Sequence, residues 1–285
     1  MRILITGGQG QLGRALQQAL AQHELLALGH QELEVSDEAR VRRTIEELQP
    51  ALVIHAAAWT DTLGCEADPD RAHRVNGEGT RHVTEACARG GVSMLYVSSN
   101  EVFDGERSEP YREEDAPNPI NSYGRSKLEG ERWVQSILSR YYIVRTAWLY
   151  GGGNDFPAKL LRAAAREGAL RVVSDEVASP TWADHLAQAM AKLILRPLWG
   201  IYHLTNSGHC SRLDWARRTL ELAGLGTVQV EETSQERFGA PYRKPVSSVL
   251  ANYNAARLGI ELPTWEEALQ EYLAGSRASS SPVSR

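Results

Sequence analysis

Tyr123 and Lys127 stand four residues apart in Asn121-Ser122-Tyr123-Gly124-Arg125-Ser126-Lys127. On a helix, that spacing puts both side chains on one face. A free phenol keeps its proton up to about pH 10, so a neighbouring cation eases its release. Tyr123 could then give a proton to a carbonyl oxygen as a hydride reaches the carbon, with Lys127 lowering its pKa and holding the nicotinamide ribose. Alone, the spacing is also that of a surface Tyr lying against a Lys stem. Ser98-Ser99 sharpens the chemical reading. It closes an apolar run, and Ser99 offers a hydroxyl to the same carbonyl, although a Ser there can also serve as a cap or turn donor.

The third feature is Gly7-Gly8-Gln9-Gly10-Gln11-Leu12-Gly13. It lies between a short apolar run, Ile3-Leu4-Ile5, and a helical pattern with Leu12, Leu16 and Leu20. Gly7 makes the tight turn, Gly10 lets backbone approach a pyrophosphate, and Gly13 lets helix pack on strand. The N–H groups of Gln11, Leu12 and Gly13 would then face the phosphates at a helix N-terminus. The Gly-x-x-Gly-x-x-Gly spacing resembles that of the short-chain dehydrogenase/reductase superfamily. A second strand ends at Leu28-Gly29-His30. An acidic residue there would bind both ribose hydroxyls and repel a 2′-phosphate. Gly29 removes that repulsion, which tilts the reading towards NADPH. No Arg or Lys at that position attracts the phosphate, so NADH stays open. Glu34 and Val35 fall where the superfamily places its adenine contacts.

These residues need a scaffold. Further short apolar runs occur at 25–28, 52–54, 94–97 and 142–144, alternating with helical patterns at 38–48, 69–90 and 122–138. Unbroken strands alternating with helices predict an α/β fold, a Rossmann-type doubly wound parallel sheet with ligands at the carboxyl ends of the strands. Beyond Trp148 the rhythm loosens. Helical patterns at 156–167, 183–195, 211–224 and 264–274 and short strands at 172–173 and 201–204 predict a smaller C-terminal substrate-binding lobe. Ser211/Asp214 and Thr264/Glu267 read as helix N-caps. The division is mainly 1–150 for the dinucleotide and mainly 151–275 for the substrate, with crossing between lobes allowed. The Ser-rich 276–285 reads as a disordered tail.

Composition agrees. The chain has 285 residues, 42% of them hydrophobic, and a formal net charge of −5. That excludes a disulfide miniprotein and a basic nucleic-acid footprint. Three cysteines without a tight pair suit a reducing cytoplasm. No apolar run approaches the ~18 residues of a membrane span. The histidines at 55, 73, 82, 185, 203 and 209 show no metal-ligand spacing.

One family accounts for most of these strings. Ser98-Ser99-Asn100-Glu101-Val102-Phe103-Asp104-Gly105 resembles the Ser-Thr-Asp-Tyr-Val-Phe-Asp-Gly segment of dTDP-4-dehydrorhamnose reductases. Ala56-Ala57-Ala58-Trp59-Thr60, Val75-Asn76, Pro117 to Glu131, Arg145 to Gly151, Ser179-Pro180-Thr181 and Arg243-Lys244-Pro245 extend the likeness to about Leu273. The resemblance implies NAD(P)H-dependent reduction of the 4-keto group of a dTDP-linked 6-deoxy-hexulose to dTDP-L-rhamnose. It implies a catalytic set of Ser99, Tyr123 and Lys127, and a cofactor bordered by Ala56, Ala57, Ala58, Trp59 and Thr60. Asn100, Glu101 and Trp148 would touch the sugar nucleotide, and Arg243 and Lys244 the diphosphate. Trp148 reads equally as core packing. Some relatives are dimers with bound Mg2+, for which no ligands stand out here. Asn100 and Glu101 replace the family's Asp and Tyr, so another 4-keto sugar stays open. Glu101 either binds a sugar hydroxyl or points to solvent. An epimerase or dehydratase of the same superfamily, and a non-catalytic regulatory subunit of a methionine adenosyltransferase, are the competing readings. The presence of Ser99, Tyr123 and Lys127 argues against the last.

Overall fold

The computed structural model describes residues 1–166, 168–239 and 241–280. Its centre is a six-stranded sheet in the order β10-β5-β4-β3-β1-β2, parallel throughout. The strands are β1 (Arg2–Thr6), β2 (Glu24–Leu28), β3 (Leu52–His55), β4 (Ser93–Ser99), β5 (Tyr141–Thr146) and β10 (Gly200–His203). The apolar runs read from sequence all sit here because a sheet covered on both faces buries most residues of its inner strands, while the edge strand β2 stays half-buried. Helices α1 (Gln11–Ala19) and α8 (Ala183–Leu193) pack on one face, around Ile3, Ile5, Leu16, Leu186 and Met190. Helices α2 (Glu38–Leu48), α5 (Gly79–Gly90) and α6 (Ser122–Ile137) cover the other, around Leu4, Val53, Val83 and Val134.

The region predicted as one helix over 69–90 is finer than its periodicity shows. After α3 (Thr62–Ala67), α4 (Pro69–Ala72) runs through a π-helical segment, His73–Glu78, into α5. Beyond β5 the chain builds the smaller lobe from α7 (Phe156–Ala164), α9 (Arg212–Ala223) and α12 (Trp265–Ser280). Three strand pairs join it: β6 (Leu149–Tyr150) with β9 (Thr181–Trp182), β7 (Ala169–Val173) with β12 (Gln229–Thr233), and β8 (Val177–Ala178) with β11 (Cys210–Ser211). Short helices α10 (Gln235–Phe238) and α11 (Tyr253–Ala256) complete the chain. Trp215, Trp265 and Leu269 anchor this lobe's core. Both anticipated caps are present: Ser211 with Asp214, and Thr264 with Glu267. The chain returns to the first layer in α8 and β10, so the order of lobes along the sequence is not their order in space. Helix α12 continues to Ser280, into the stretch read as a tail. Arg277 and Ala278 are good helix formers and serines only mildly poor ones. Residues 281–285 lie outside the described residues.

A buried ion pair ties α6 to the sheet. Arg145 on β5 grips Glu131 with two bonds, Nε to Oε1 at 2.9 Å and Nη2 to Oε2 at 2.6 Å, and Ser98 Oγ donates to the same carboxylate. Two histidines of the sheet, His55 on β3 and His203 on β10, are fully buried. His55 accepts from Thr6 Oγ1 at 2.7 Å through Nδ1. Its Nε2 meets Thr80 Oγ1 at 3.1 Å, whose own proton goes to the Asn76 carbonyl, which assigns the ring proton to Nε2. Burial, reinforced by Lys127 at His55 and by Arg145 at His203, pushes both imidazoles down to about 3. The unfolded chain binds these protons below about pH 6.5 while the folded chain refuses them until about pH 3. Stability is therefore expected to fall as pH drops through that window. Urea unfolding midpoints at pH 7, 5.5 and 4.5 check this, and His55→Gln should flatten the slope. A midpoint independent of pH across that range contradicts it.

Candidate active site

The sheet changes direction of winding between β1 and β3, and there the cleft opens, as expected at a topological switch point. Gly7 leaves β1 with φ +70°, and a Cβ on it would lie 2.8 Å from the Ala57 amide nitrogen. A Cβ on Gly13 would collide with the Gly7 carbonyl. Gly10 caps α1 without any side-chain hydrogen bond, so the first-turn N–H groups of that helix stay available to a ligand. This is a cradle that fits a pyrophosphate. A cavity of about 520 Å³ runs from it past Gly7, Gly10, Gln11, Leu12, Gly13, Ala56, Ala58 and Thr60. The same cavity reaches Ser99, Asn100, Glu101, Tyr123, Lys127, Trp148 and Lys244. A second, of about 370 Å³, shares Gly7, Gly10, Ala56 and Ala58 with it and continues along Gly29, Glu34, Val35, Ala57 and Trp59. Together they form one trough that runs from Gly29 and Glu34 at one end to Trp148 and Lys244 at the other.

Every residue singled out from the sequence borders this trough except Arg243. That side chain is exposed, and only its carbonyl turns inward, towards Asn121 Nδ2. Lys244 lines the cleft instead, and Arg212, which the sequence reading missed, joins it. Arg212 stacks 3.6 Å above the centroid of the Trp148 ring and pairs with Glu176 at 3.3 Å; Lys244 meets the same carboxylate at 3.7 Å. Trp148 serves both readings made for it. It lines the cleft and stacks on Trp215, with ring centroids 5.6 Å apart. It also holds φ at +42°, a strained backbone for a bulky residue of the kind that concentrates at functional sites.

Ser99 ends β4 and caps a 3-10 turn over 100–102, accepting from the Glu101 amide at 3.1 Å. Asn121 caps α6 through Oδ1, from Gly124 N at 2.8 Å, and its Nδ2 donates to Glu101 Oε2 at 2.7 Å. A Cβ on Gly124 would run into the Glu101 carbonyl, so glycine there lets α6 close onto the turn. That approach brings the Tyr123 phenol to the same cavity as the Ser99 hydroxyl, which donates to Asn100 Oδ1 at 3.2 Å; burial and the Glu101 charge push the phenol's pKa up, against the influence of Ser99, and keep it protonated. Lys127 lies one helical turn on, 2% exposed, with Nζ 4.3 Å from the centre of the Tyr96 ring. Burial pushes its ammonium down to about 7, against the pull of Glu131. Lys127 was expected to lower Tyr123's pKa; in the protein alone burial and the Glu101 charge hold the phenol well above its ordinary value. Asn76 holds the floor in place, accepting from Trp59 N at 2.8 Å and donating to the Trp59 carbonyl and Ser126 Oγ at 3.0 Å each. Asn100 donates to Ser248 Oγ at 2.6 Å, joining β4 to the segment that carries Lys244.

At the adenine end the structure adds a carboxylate. Glu32 Oε2 accepts from the Gly29 amide at 2.8 Å and from Gln9 Nε2 at 3.4 Å. Sequence position alone left this strand end without an acid; a turn of three residues brings one back. Away from the trough, His73, Glu78 and Glu129 bring ligand-type atoms within 4.8 Å of one another on the helical face, where Arg81 also pairs with Glu78. Glu129 is 56 residues from His73, beyond any spacing rule. Cys65, Cys87 and Cys210 are free and buried. Among the described residues, no helix is long and apolar enough to cross a membrane.

The family described as RmlD substrate binding domain matches residues 1–278. The dTDP-4-dehydrorhamnose reductase of Streptomyces griseus is 40% identical over 280 residues, covering 95% of this chain and 92% of that protein. The spore coat polysaccharide biosynthesis protein SpsK of Bacillus subtilis (strain 168) is 38% identical over 275 residues, covering 95% and 96%. The crystal structure of dTDP-4-dehydrorhamnose reductase from Bacillus anthracis in complex with NADP has a TM-score of 0.92 at 35% identity, covering 96% of this chain and 99% of that one. With its glycine cradle, its paired Ser and Tyr and its full-length match in sequence and fold, this chain belongs to the RmlD substrate-binding-domain family.

Proposed function

We propose that this protein reduces the 4-keto group of dTDP-4-dehydrorhamnose to give dTDP-L-rhamnose, with NAD(P)H as reductant. The observation that carries the reading is the Ser99 hydroxyl beside the protonated Tyr123 phenol, at the end of a trough that begins in a capless glycine cradle. The first-turn amides of α1 hold the pyrophosphate, Ala56 to Thr60 border the dinucleotide, and Lys127 holds the nicotinamide ribose. When bound, the nicotinamide supplies a hydride to C4. Tyr123 gives its proton to the carbonyl oxygen as the C=O electrons move onto it, and Ser99 donates a hydrogen bond to the same oxygen. Lys127 regains its charge beside an anionic dinucleotide and so assists release of the phenolic proton. Arg212, Lys244 and Trp148 face the sugar nucleotide. Residues 1–150 chiefly hold the cofactor and 151–275 the sugar nucleotide, with α8 and β10 returning to the first lobe. The free, buried cysteines suit a cytoplasmic setting.

The purified protein is expected to oxidise NADPH only when the 4-keto sugar nucleotide is present, with one equivalent of reduced sugar formed. Glu101 in the cleft favours one other reading, an epimerase, since a carboxylate can serve as a base. Interconversion of sugars without net NAD(P)H oxidation would establish that instead.

Cofactor choice should turn on Glu32. A carboxylate at the end of β2 suits ribose hydroxyls and repels a 2′-phosphate. Glu32→Gln keeps an acceptor for the Gly29 amide and removes the charge. The ratio of kcat/KM for NADPH over NADH is expected to rise by about tenfold, near ~1.4 kcal/mol. An unchanged ratio places Glu32 outside the ribose site.

A further inference from the structure

Glu101 is a carboxylate the reduction does not require. It lines the same cavity as Ser99, Tyr123 and Trp148. Its position is fixed from three directions: the Ser99 hydroxyl takes its amide, Gly124 lets α6 lie against its carbonyl, and Asn121 holds Oε2 at 2.7 Å. It is therefore rigid with respect to the two groups that would flank the reacting carbonyl. Two cations, Arg212 and Lys244, lie within electrostatic reach, but both make their ion pairs with Glu176. Asn121 provides the one side-chain hydrogen bond that Glu101 receives among the described residues. Desolvation raises the cost of leaving such a group without donors.

A carboxylate repels a diphosphate, so Glu101 does not serve that part of a sugar nucleotide. A hydroxyl donor suits it. In a 6-deoxy-hexos-4-ulose, C4 has two ring neighbours. C5 carries the methyl group and the ring oxygen; C3 alone carries a hydroxyl. With Ser99 and Tyr123 on the C4 oxygen, a carboxylate two residues beyond Ser99 meets the substituent next door. We propose that Glu101 determines specificity by accepting a hydrogen bond from the C3 hydroxyl, so that the substrates of this protein are nucleotide-linked 4-keto sugars with a free 3-hydroxyl. This rests on the reductase reading above and narrows it to a substrate class.

The test compares kcat/KM of wild type, Glu101→Ala and Glu101→Gln, with saturating NADPH, on dTDP-4-dehydrorhamnose and its 3-deoxy counterpart. Wild type is expected to prefer the hydroxylated sugar by at least about 10²-fold, because a cleft carboxylate that loses a donor rejects the analogue. Glu101→Ala should bring the two sugars within about threefold, losing rate on the hydroxylated one only. Glu101→Gln, which keeps an acceptor oxygen, should fall between. NADPH binding by fluorescence checks that each variant is folded, and the wild-type preference alone is decisive if a variant is not. Equal turnover of both sugars by wild type overturns the role of Glu101 and leaves the reductase reading standing. So does an equal loss on both sugars in Glu101→Ala, which would make Glu101 only a brace for Asn121. A wild-type protein that oxidises NADPH with neither sugar overturns the reductase reading itself, and this inference with it.

Discussion

Replacing Tyr123 by Phe is expected to lower kcat by ~10²–10⁴-fold, the usual cost of losing a positioned acid. The ring stays, so packing against α6 and the Ser99 turn stays. What goes is the one proton the geometry offers to the carbonyl oxygen. Ser99 can hold that oxygen but has no base behind it, and Lys127 lies a helical turn away beneath the Tyr96 ring face. Dinucleotide affinity should remain within about threefold, because the glycine cradle is untouched. Measuring NADPH binding and steady-state turnover on the same sample separates the two effects. Turnover within threefold of wild type would remove Tyr123 from the mechanism.

Glu131→Ala is expected to destabilise the fold by ~3–5 kcal/mol. The pair it breaks is inaccessible to water, with side-chain exposures of 2% for Arg145 and 1% for Glu131. Removing the acid leaves a guanidinium under Phe103 with the neutral His203 ring 3.4 Å from Nη1, a partner that carries no charge to balance it. The loss should reach function as well, because Glu131 is one turn beyond Lys127 on α6 and its partners Ser98 and Arg145 stand on β4 and β5. Urea unfolding gives the stability, and the paired replacement Glu131→Leu with Arg145→Met should recover much of it. A loss below about 1 kcal/mol would mean that the ion pair does not anchor the helix.

Local pattern made part of this molecule legible. Strands β1, β3, β4 and β5 announce themselves because each is an apolar run buried on both faces, the half-buried edge strand β2 because its run is apolar too, and the glycine loop because only glycine fits between the β1 and β3 ends. Tyr123 and Lys127 are readable because i and i+4 share a helix face. What stayed hidden is long-range. Arg212 follows the cap Ser211 and looks like an ordinary solvated first-turn residue; nothing near it in sequence mentions Trp148 or Glu176, 64 and 36 residues away. Asn121 was quoted in a motif, but its double service as helix cap and holder of Glu101 appears only when β4 and α6 meet. Glu32 escaped notice because a turn, not a strand position, carries it to Gly29. Strand β12 has alternating polar residues and an exposed face, so its run never looks apolar. Arg243 shows the opposite failure: a cation adjacent to the cleft in sequence points away from it, and its neighbour Lys244 points in.

The central claim is that a hydride passes to C4 of a dTDP-linked 4-keto sugar while this chain supplies the proton. The measurement that tests it most directly is turnover of dTDP-4-dehydrorhamnose with NADPH deuterated at both C4 positions of the nicotinamide. NMR and mass spectrometry of the sugar product are expected to show one deuterium, at C4 of dTDP-L-rhamnose, with one equivalent of NADP+ formed. A product without deuterium at C4, or a rearranged sugar formed with no net oxidation of the dinucleotide, would contradict the account.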